Sequence, residues 1–201
     1  MGIATAPALY AKLTFDATKD LAPIALAGDV PMILVGNKNF APGNIGELIK
    51  VMKNKPGEVT FAHAGVGATS HLCAMLVNQT AGTQATMVPY KGTGPALQDV
   101  ISGNVNVICD QPVATGSHIQ AGLLKAYGVA TKARLDTLPN VPTFAETGLP
   151  NFELSVWHGL YAPKGTPAAT IERLNKAART ALADPALVKR FTDMSAVSYT
   201  H

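Results

Sequence analysis

The chain has 201 residues, 47% of them hydrophobic and 14% charged, which is enough apolar mass for a full core in one domain or in two small lobes, and excludes disorder. Sixteen Lys and Arg against thirteen Asp and Glu leave a mild positive excess that suits a small anionic ligand, while the absence of basic clusters and of an aromatic-rich basic segment excludes nucleic acid as a partner. No apolar run reaches the roughly 18 residues of a membrane span, and Met1 to Pro7 lacks the basic and apolar regions of a signal peptide.

Ile24 to Ala27 and Met32 to Val35 are short apolar runs split by Gly28-Asp29-Val30-Pro31, and read as two strands or one interrupted strand. Asn44 followed by Glu47 outlines a capping box, and Ile45, Leu48, Ile49 and Met52 keep helical spacing until Pro56-Gly57. Val59 to Ala62 reads as a strand that feeds a glycine loop, Ala64 to Ser70. Leu72, Met75, Leu76 and Gln79 then share one helical face, with Gly82 as the stop.

The pattern repeats. Thr86 to Pro89 gives a strand, Tyr90 to Gly94 a loop, and Pro95 the first residue of a helix that ends at Gly103. Val105 to Cys109 is a strand ending at Asp110, Ala114 to Ala121 a weaker helix closed by Gly122, and Leu124 to Ala130 a further strand. Lys132 to Pro150 carries three prolines and reads as an irregular connection. Phe152 to Ala162 looks like a strand, and Ile171, Leu174, Ala178, Ala181 and Leu182 mark the buried face of a long helix that starts near Thr166-Pro167. Asp184-Pro185 ends it, and a last helix fades into a tail, Ser195 to His201. Strand–loop–helix units with connections too long for hairpins predict an α/β fold, a mainly parallel doubly wound sheet with helices on both faces.

In such a sheet ligands bind beyond the carboxyl ends of the strands. Three loops would line that rim: Ala64 to Ser70, Tyr90 to Gly94 and Asp110 to Pro112. The first amides of a helix lack intrahelical partners and sit at the positive end of its dipole, so the first loop is an anion site. Gly65 to Ser70 imitates a dinucleotide fingerprint, but no acidic residue follows about 20 positions later, and no Gly-Lys-Ser/Thr marks a Walker loop. His63 and His71 with Asp110 do not have a recognised metal spacing. Ser70 and His71, adjacent on a helix, diverge and make no nucleophile–base pair. Thr69 or Ser70 serves as helix cap, ligand contact or both. Asp110 either binds a ligand's amino or hydroxyl group or caps the following helix. Trp157 packs in a core or covers a ligand. Cys73 and Cys109 form no CxxC and read as buried apolar fillers rather than a bridge.

The ordered series Asp20-Leu21-Ala22-Pro23, Lys55-Pro56-Gly57, Ala64-Gly65-Val66-Gly67, Thr69-Ser70-His71-Leu72, Val88-Pro89-Tyr90-Lys91-Gly92 and Pro95-Ala96-Leu97 resembles the Bug-type periplasmic solute receptors of tripartite tricarboxylate transporters. Leu138-Pro139-Asn140-Val141-Pro142-Thr143, Glu146-Thr147-Gly148-Leu149-Pro150 and Trp157-His158-Gly159-Leu160 agree with it. The resemblance runs from about Ala8 to Met194. It implies a periplasmic-binding-protein fold of two α/β lobes joined by crossover strands and closing on a small carboxylate, with no catalysis, no cofactor and no metal. The implied partners are a di- or tricarboxylate, amino-acid or aromatic acid and the membrane permease that receives it. The receptor is expected to be a monomer in the periplasm.

By the same resemblance, lobe II spans 31–154, 1–30 is a remnant of lobe I and 155–201 returns to it incomplete. The ligand-binding residues are then Gly65, Val66, Gly67, Ala68, Thr69, Ser70, His71 and Asp110, with Tyr90, Lys91, Gly92 and Trp157 as secondary contacts. The family often carries Asn-Gly-Thr-Ser-Ser where this chain has Val66-Gly67-Ala68-Thr69-Ser70, so two polar side chains are replaced by apolar ones. Family members supply an opposing loop from a segment before the one aligned with Met1. The isolated chain is therefore expected to bind ligand weakly or not at all. Two other readings stay open at this point: a truncated interaction module without a ligand, and an α/β enzyme acting on an anionic substrate.

Overall fold

The computed structural model describes residues 2–198. The chain divides into two compact units, a central one, Pro31–Ser155, and a terminal one made of Met1–Val30 and Val156–His201. In chain order the elements are α1 (Gly2–Leu9), β1 (Leu21–Pro31), β2 (Ile33–Asn37), α2 (Ile45–Asn54), β3 (Thr60–His63), α3 (Thr69–Ala81), β4 (Thr86–Pro89), α4 (Thr93–Ser102), β5 (Val107–Asp110), α5 (Pro112–Gln120), β6 (Leu124–Val129), β7 (Ser155–Pro163), α6 (Ala168–Leu182), α7 (Pro185–Asp193) and β8 (Val197–Ser198). A single 3₁₀ turn, Ala145–Thr147, interrupts the proline-rich connection.

The central unit is built on a five-stranded sheet in the order β4-β3-β5-β2-β6. β3 runs parallel to both β4 and β5, while β2 runs antiparallel to β5 and β6. The sheet is therefore mainly parallel, with one reversed strand inside it. Register decides which helix covers which face. Ala62 pairs with Ile108, and both join Ile33, Val35 and Val129 in one buried cluster with Ala96, Leu97 and Val100 of α4. Successive strand residues point to opposite faces, so Phe61, His63 and Cys109 face the other way, where Cys109 is bonded to Cys73 of α3. α3 and α4 thus cover opposite faces, and the strands between them are apolar on both sides because neither side meets water.

Local signals set most boundaries. The Asn44 side chain accepts from Glu47 N at 2.9 Å, and Glu47 reaches back to accept from Gly43 N at 2.7 Å, so the capping box closes one residue further out than its usual form. α2 buries Ile45, Leu48 and Met52. α3 departs from the face expected for it: Met75 is 50% exposed, and the buried side is Ser70, Cys73, Ala74, Val77 and Ala81. The expected pair of separate thiols is corrected too, because Cys73 and Cys109 are joined. Both sit fully buried where α3 crosses β5, a juxtaposition that a sequence separation of 36 hides from local spacing.

The terminal unit carries a three-stranded sheet, β7-β1-β8. Asp184 caps α7 by accepting from Ala186 N and Leu187 N, with Pro185 in the first turn. Two expectations fail in this unit. The tail from Ser195 contains β8, which pairs antiparallel with β1 through Gly28 and Asp29; its remainder, 199–201, lies outside the described residues. α6 has the expected apolar stripe, yet Leu182 alone in it is buried and Leu174 is 40% exposed.

Candidate functional site

β4, β3 and β5 are neighbours and parallel, so their carboxyl ends share one rim. From that rim the chain enters α3, α4 and α5 through short loops. None of these three helices has a side-chain cap: their N-cap residues are Ala68, Gly92 and Gln111. α2, in the same unit, is capped by Asn44. For α3 and α4 the reason is local, since Ala68 and Gly92 have no side-chain oxygen to offer the first helical amides.

The loop before α3 is held from both ends by that helix's own first turn. Ser70 Oγ accepts from Ala64 N at 2.9 Å, and His71 Nδ1 accepts from Gly67 N at 3.3 Å. This corrects the reading of Thr69 or Ser70 as the cap: the helix starts at Thr69, Ala68 is the N-cap, and the Ser70 hydroxyl serves the loop. The His71 ring likewise serves the loop, as an acceptor for an amide. With Nδ1 as acceptor, the neutral ring carries its proton on Nε2. Gly65 and Gly67 adopt φ of 120° and 79°, a region that side-chain-bearing residues rarely enter; the turn that aims the loop at the helix start therefore needs both. Val66 stands at the tip, 64% exposed.

His63 lies beneath this loop, 2% exposed, its ring 4.5 Å from that of His71 and tilted. Its Nδ1 is buried without a hydrogen-bond partner in the protein. Burial, and secondarily the charge of His63, holds the His71 imidazole below its usual range. Asp110 does not join the pair. It follows Cys109 on β5 and so faces α4, on the opposite side of the sheet from His63. Among the described residues no group of three His, Cys, Asp or Glu is placed to hold a metal ion.

Asp110 is 4% exposed. Its Oδ2 accepts from Thr93 Oγ1 at 2.8 Å and its Oδ1 from Gln111 N at 2.8 Å. Burial pushes its carboxyl above the usual range, against the pull of those two bonds. Thr93 is absent from the sequence-derived site residues; starting the helix at Pro95 leaves it in a loop, whereas it is the first helical residue. Tyr90 N donates to His63 O at 2.9 Å and ties the second loop to the first. Its hydroxyl donates to Asp99 Oδ2 at 2.6 Å, and partial burial together with that acceptor pushes it up to about 12. Lys91 is exposed beside Gly92. Trp157 is half-buried on β7, in the terminal unit.

A rim of this kind offers backbone donors and positive helix ends to a small anion. The profile of the TctC family, tripartite tricarboxylate transporter family receptor, matches residues 1–200. The chain belongs to that family. It is 45% identical over 197 residues to the UPF0065 protein in the TAR-I ttuE-ttuC' intergenic region of Agrobacterium vitis, an alignment that covers 98% of this chain and 57% of that protein. Among solved structures it is similar to the periplasmic binding protein BugD, with 39% identity and a TM-score of 0.93 over 99% of this chain and 67% of BugD. MatC of Rhodopseudomonas palustris, solved with bound malate, has 37% identity and a TM-score of 0.89 over 96% of this chain and 66% of MatC. The chain thus spans little more than half the length of its curated relative. Its fold is that of periplasmic binding proteins, and the family is one of transporter receptors.

Proposed function

We propose that the chain is part of an extracytoplasmic solute receptor, and that the rim formed by β4, β3 and β5 supplies one side of its site for a small carboxylate. The observation that carries this reading is the convergence of three helix starts without side-chain caps at the carboxyl ends of adjacent parallel strands. A carboxylate there receives backbone N–H bonds and the field of the helix ends together. Gly65 to His71 form the principal contact, Gly92 and its neighbours Tyr90 and Lys91 the second, and Asp110 the corner between them. The bound malate of the related MatC is the ligand type this geometry suits. Membership of a transporter receptor family supports delivery of the solute to a permease, and the reading takes the receptor as a monomer. A periplasmic location accords with the buried Cys73–Cys109 bridge, since such bonds persist in oxidising compartments.

Titration of the ¹⁵N-labelled chain with malate tests the reading. Of weak binding and none, the reading requires the first: millimolar binding, with amide shifts centred on Gly65 to His71 and Gly92 to Gly94. Shifts confined to other segments, or none at all, overturn it.

A further inference from the structure

Asp110 presents a physical conflict if the rim binds carboxylates, and the inference rests on that reading. A carboxyl group that is 4% exposed stands at the end of β5, between the starts of α4 and α5. An ionised acid there repels an incoming acid, in surroundings that screen charge poorly. A purely apolar or amide side chain would hold the corner without that repulsion. The bonds present do not require a charge either, since one donor is a neutral hydroxyl and the other a single amide. An ionised carboxylate has about four acceptor positions, and the protein donors use one on each oxygen. Asp110 is left with acceptor capacity and no cation in its hydrogen-bond set.

The face assignment adds the second element. The glycine loop and the start of α3 serve the His63 side of the sheet edge, and Asp110 with Thr93 serves the α4 side. The rim therefore offers donors to a carboxylate on one side and an acceptor on the other. We propose that Asp110 is the specificity-determining residue of this rim, accepting a hydrogen bond from an ammonium or hydroxyl group on the carbon next to the ligand's carboxylate. The site then selects 2-amino or 2-hydroxy acids over unsubstituted ones of the same length. The ligand's donor takes an acceptor position that Thr93 Oγ1 and Gln111 N leave open, and an unsubstituted acid meets only the repulsion.

Aspartate, malate and succinate share a four-carbon dicarboxylate frame and differ at that one position. Titrations of the full chain with each, followed by the same amide shifts, rank them. A hydrogen bond to a charged acceptor corresponds to a preference of about 10-fold or more, so aspartate and malate are expected to bind at least that much more tightly than succinate. Asp110→Asn keeps one oxygen for Gln111 N, and its amide can donate to the Thr93 hydroxyl; it is expected to fold and to bring aspartate down to the level of succinate. Asp110→Ser, checked for folding by circular dichroism, makes the same test if the first variant does not fold. Equal binding of the three acids by the unaltered chain, tighter binding of succinate, or a ranking unchanged by the substitutions overturns the proposal while leaving the carboxylate rim intact. Failure of all three acids to shift the rim amides overturns the rim reading and the proposal together.

Discussion

The two units follow the same α/β grammar and differ in how much of it closes. In the central unit both sheet faces are covered, Phe61, Ile33, Leu34 and Ile108 are fully buried, and a disulfide joins helix to strand. In the terminal unit the helices bury little: α6 contributes Leu182, and no residue of α7 is buried. Of the thirteen large apolar side chains exposed among the described residues, ten belong to the terminal unit, including Leu26, Leu160 and Tyr161 on its strands. An amphipathic stripe specifies a face to be covered and contributes stability only where something covers it. The rim proposed to bind ligand belongs to the unit that is closed, which is where fixed donors are obtainable.

The strongest way to break this comparison is to empty the core of the closed unit. Phe61, fully buried on the α3 side of β3, should cost about 3–5 kcal/mol when replaced by Ala, measured by urea unfolding followed by circular dichroism. A loss below about 1 kcal/mol would mean that the central unit is no better packed than the terminal one. Removal of the bridge comes next. Closing a loop between residues 36 apart restricts the unfolded chain by about 3–4 kcal/mol in the chain-entropy model. The Cys73→Ala/Cys109→Ala double variant should therefore unfold at markedly lower urea, and hydrogen exchange should quicken first at β3, α3 and β5. Quickening confined to β1 and β7 would place the stabilisation in the wrong unit. Asn44→Ala should cost about 1 kcal/mol, because its side chain satisfies Glu47 N and positions the Glu47 carboxylate that serves Gly43 N.

What could be read from the sequence divides along the same physical line. The box at Asn44 and Glu47, the stops at Gly82 and Gly103, and the Asp184-Pro185 break are decided by residues within a turn of one another, and the structure has them where local chemistry puts them. The strand–glycine loop–helix character of residues 60–81 is legible for the same reason. What depends on tertiary pairing is not. The reversed direction of β2, the pairing of Val197 with Asp29 and the Cys73–Cys109 bridge each join segments whose approach no local pattern encodes. In the candidate site, the Thr93–Asp110 bond spans 17 residues and arises because α4 returns over the end of β5. The Ser70 hydroxyl was legible as a polar group at a helix start, but its partner, Ala64 N, depends on how the glycines turn the loop.

A smaller effect should appear in the pH dependence of the closed unit. The folded-state value for His71 lies below the ordinary value of about 6.5, because burial and His63 oppose its charging. The unfolded chain then binds more protons, so this contribution is fully present above about pH 6.5 and is lost as pH falls through the folded value. Protonation at Nδ1 also removes the acceptor that Gly67 N uses. His71→Gln should flatten the fall in Tm between neutral and mildly acidic pH. An unchanged slope would assign the dependence to other groups.

The least effect is expected where the stripe lies open. Leu174 is 40% exposed on α6, and Leu182 is the residue of that helix that is buried. Leu174→Ser removes apolar surface that already meets water, so stability should change by no more than about 0.5 kcal/mol, whereas the same change at Leu48 in α2, fully buried, should cost several times that. The pair of substitutions separates pattern from burial directly, since both positions are apolar points on amphipathic helices. Equal losses at the two sites would mean that α6 is covered in solution and that the contrast between the units does not hold there.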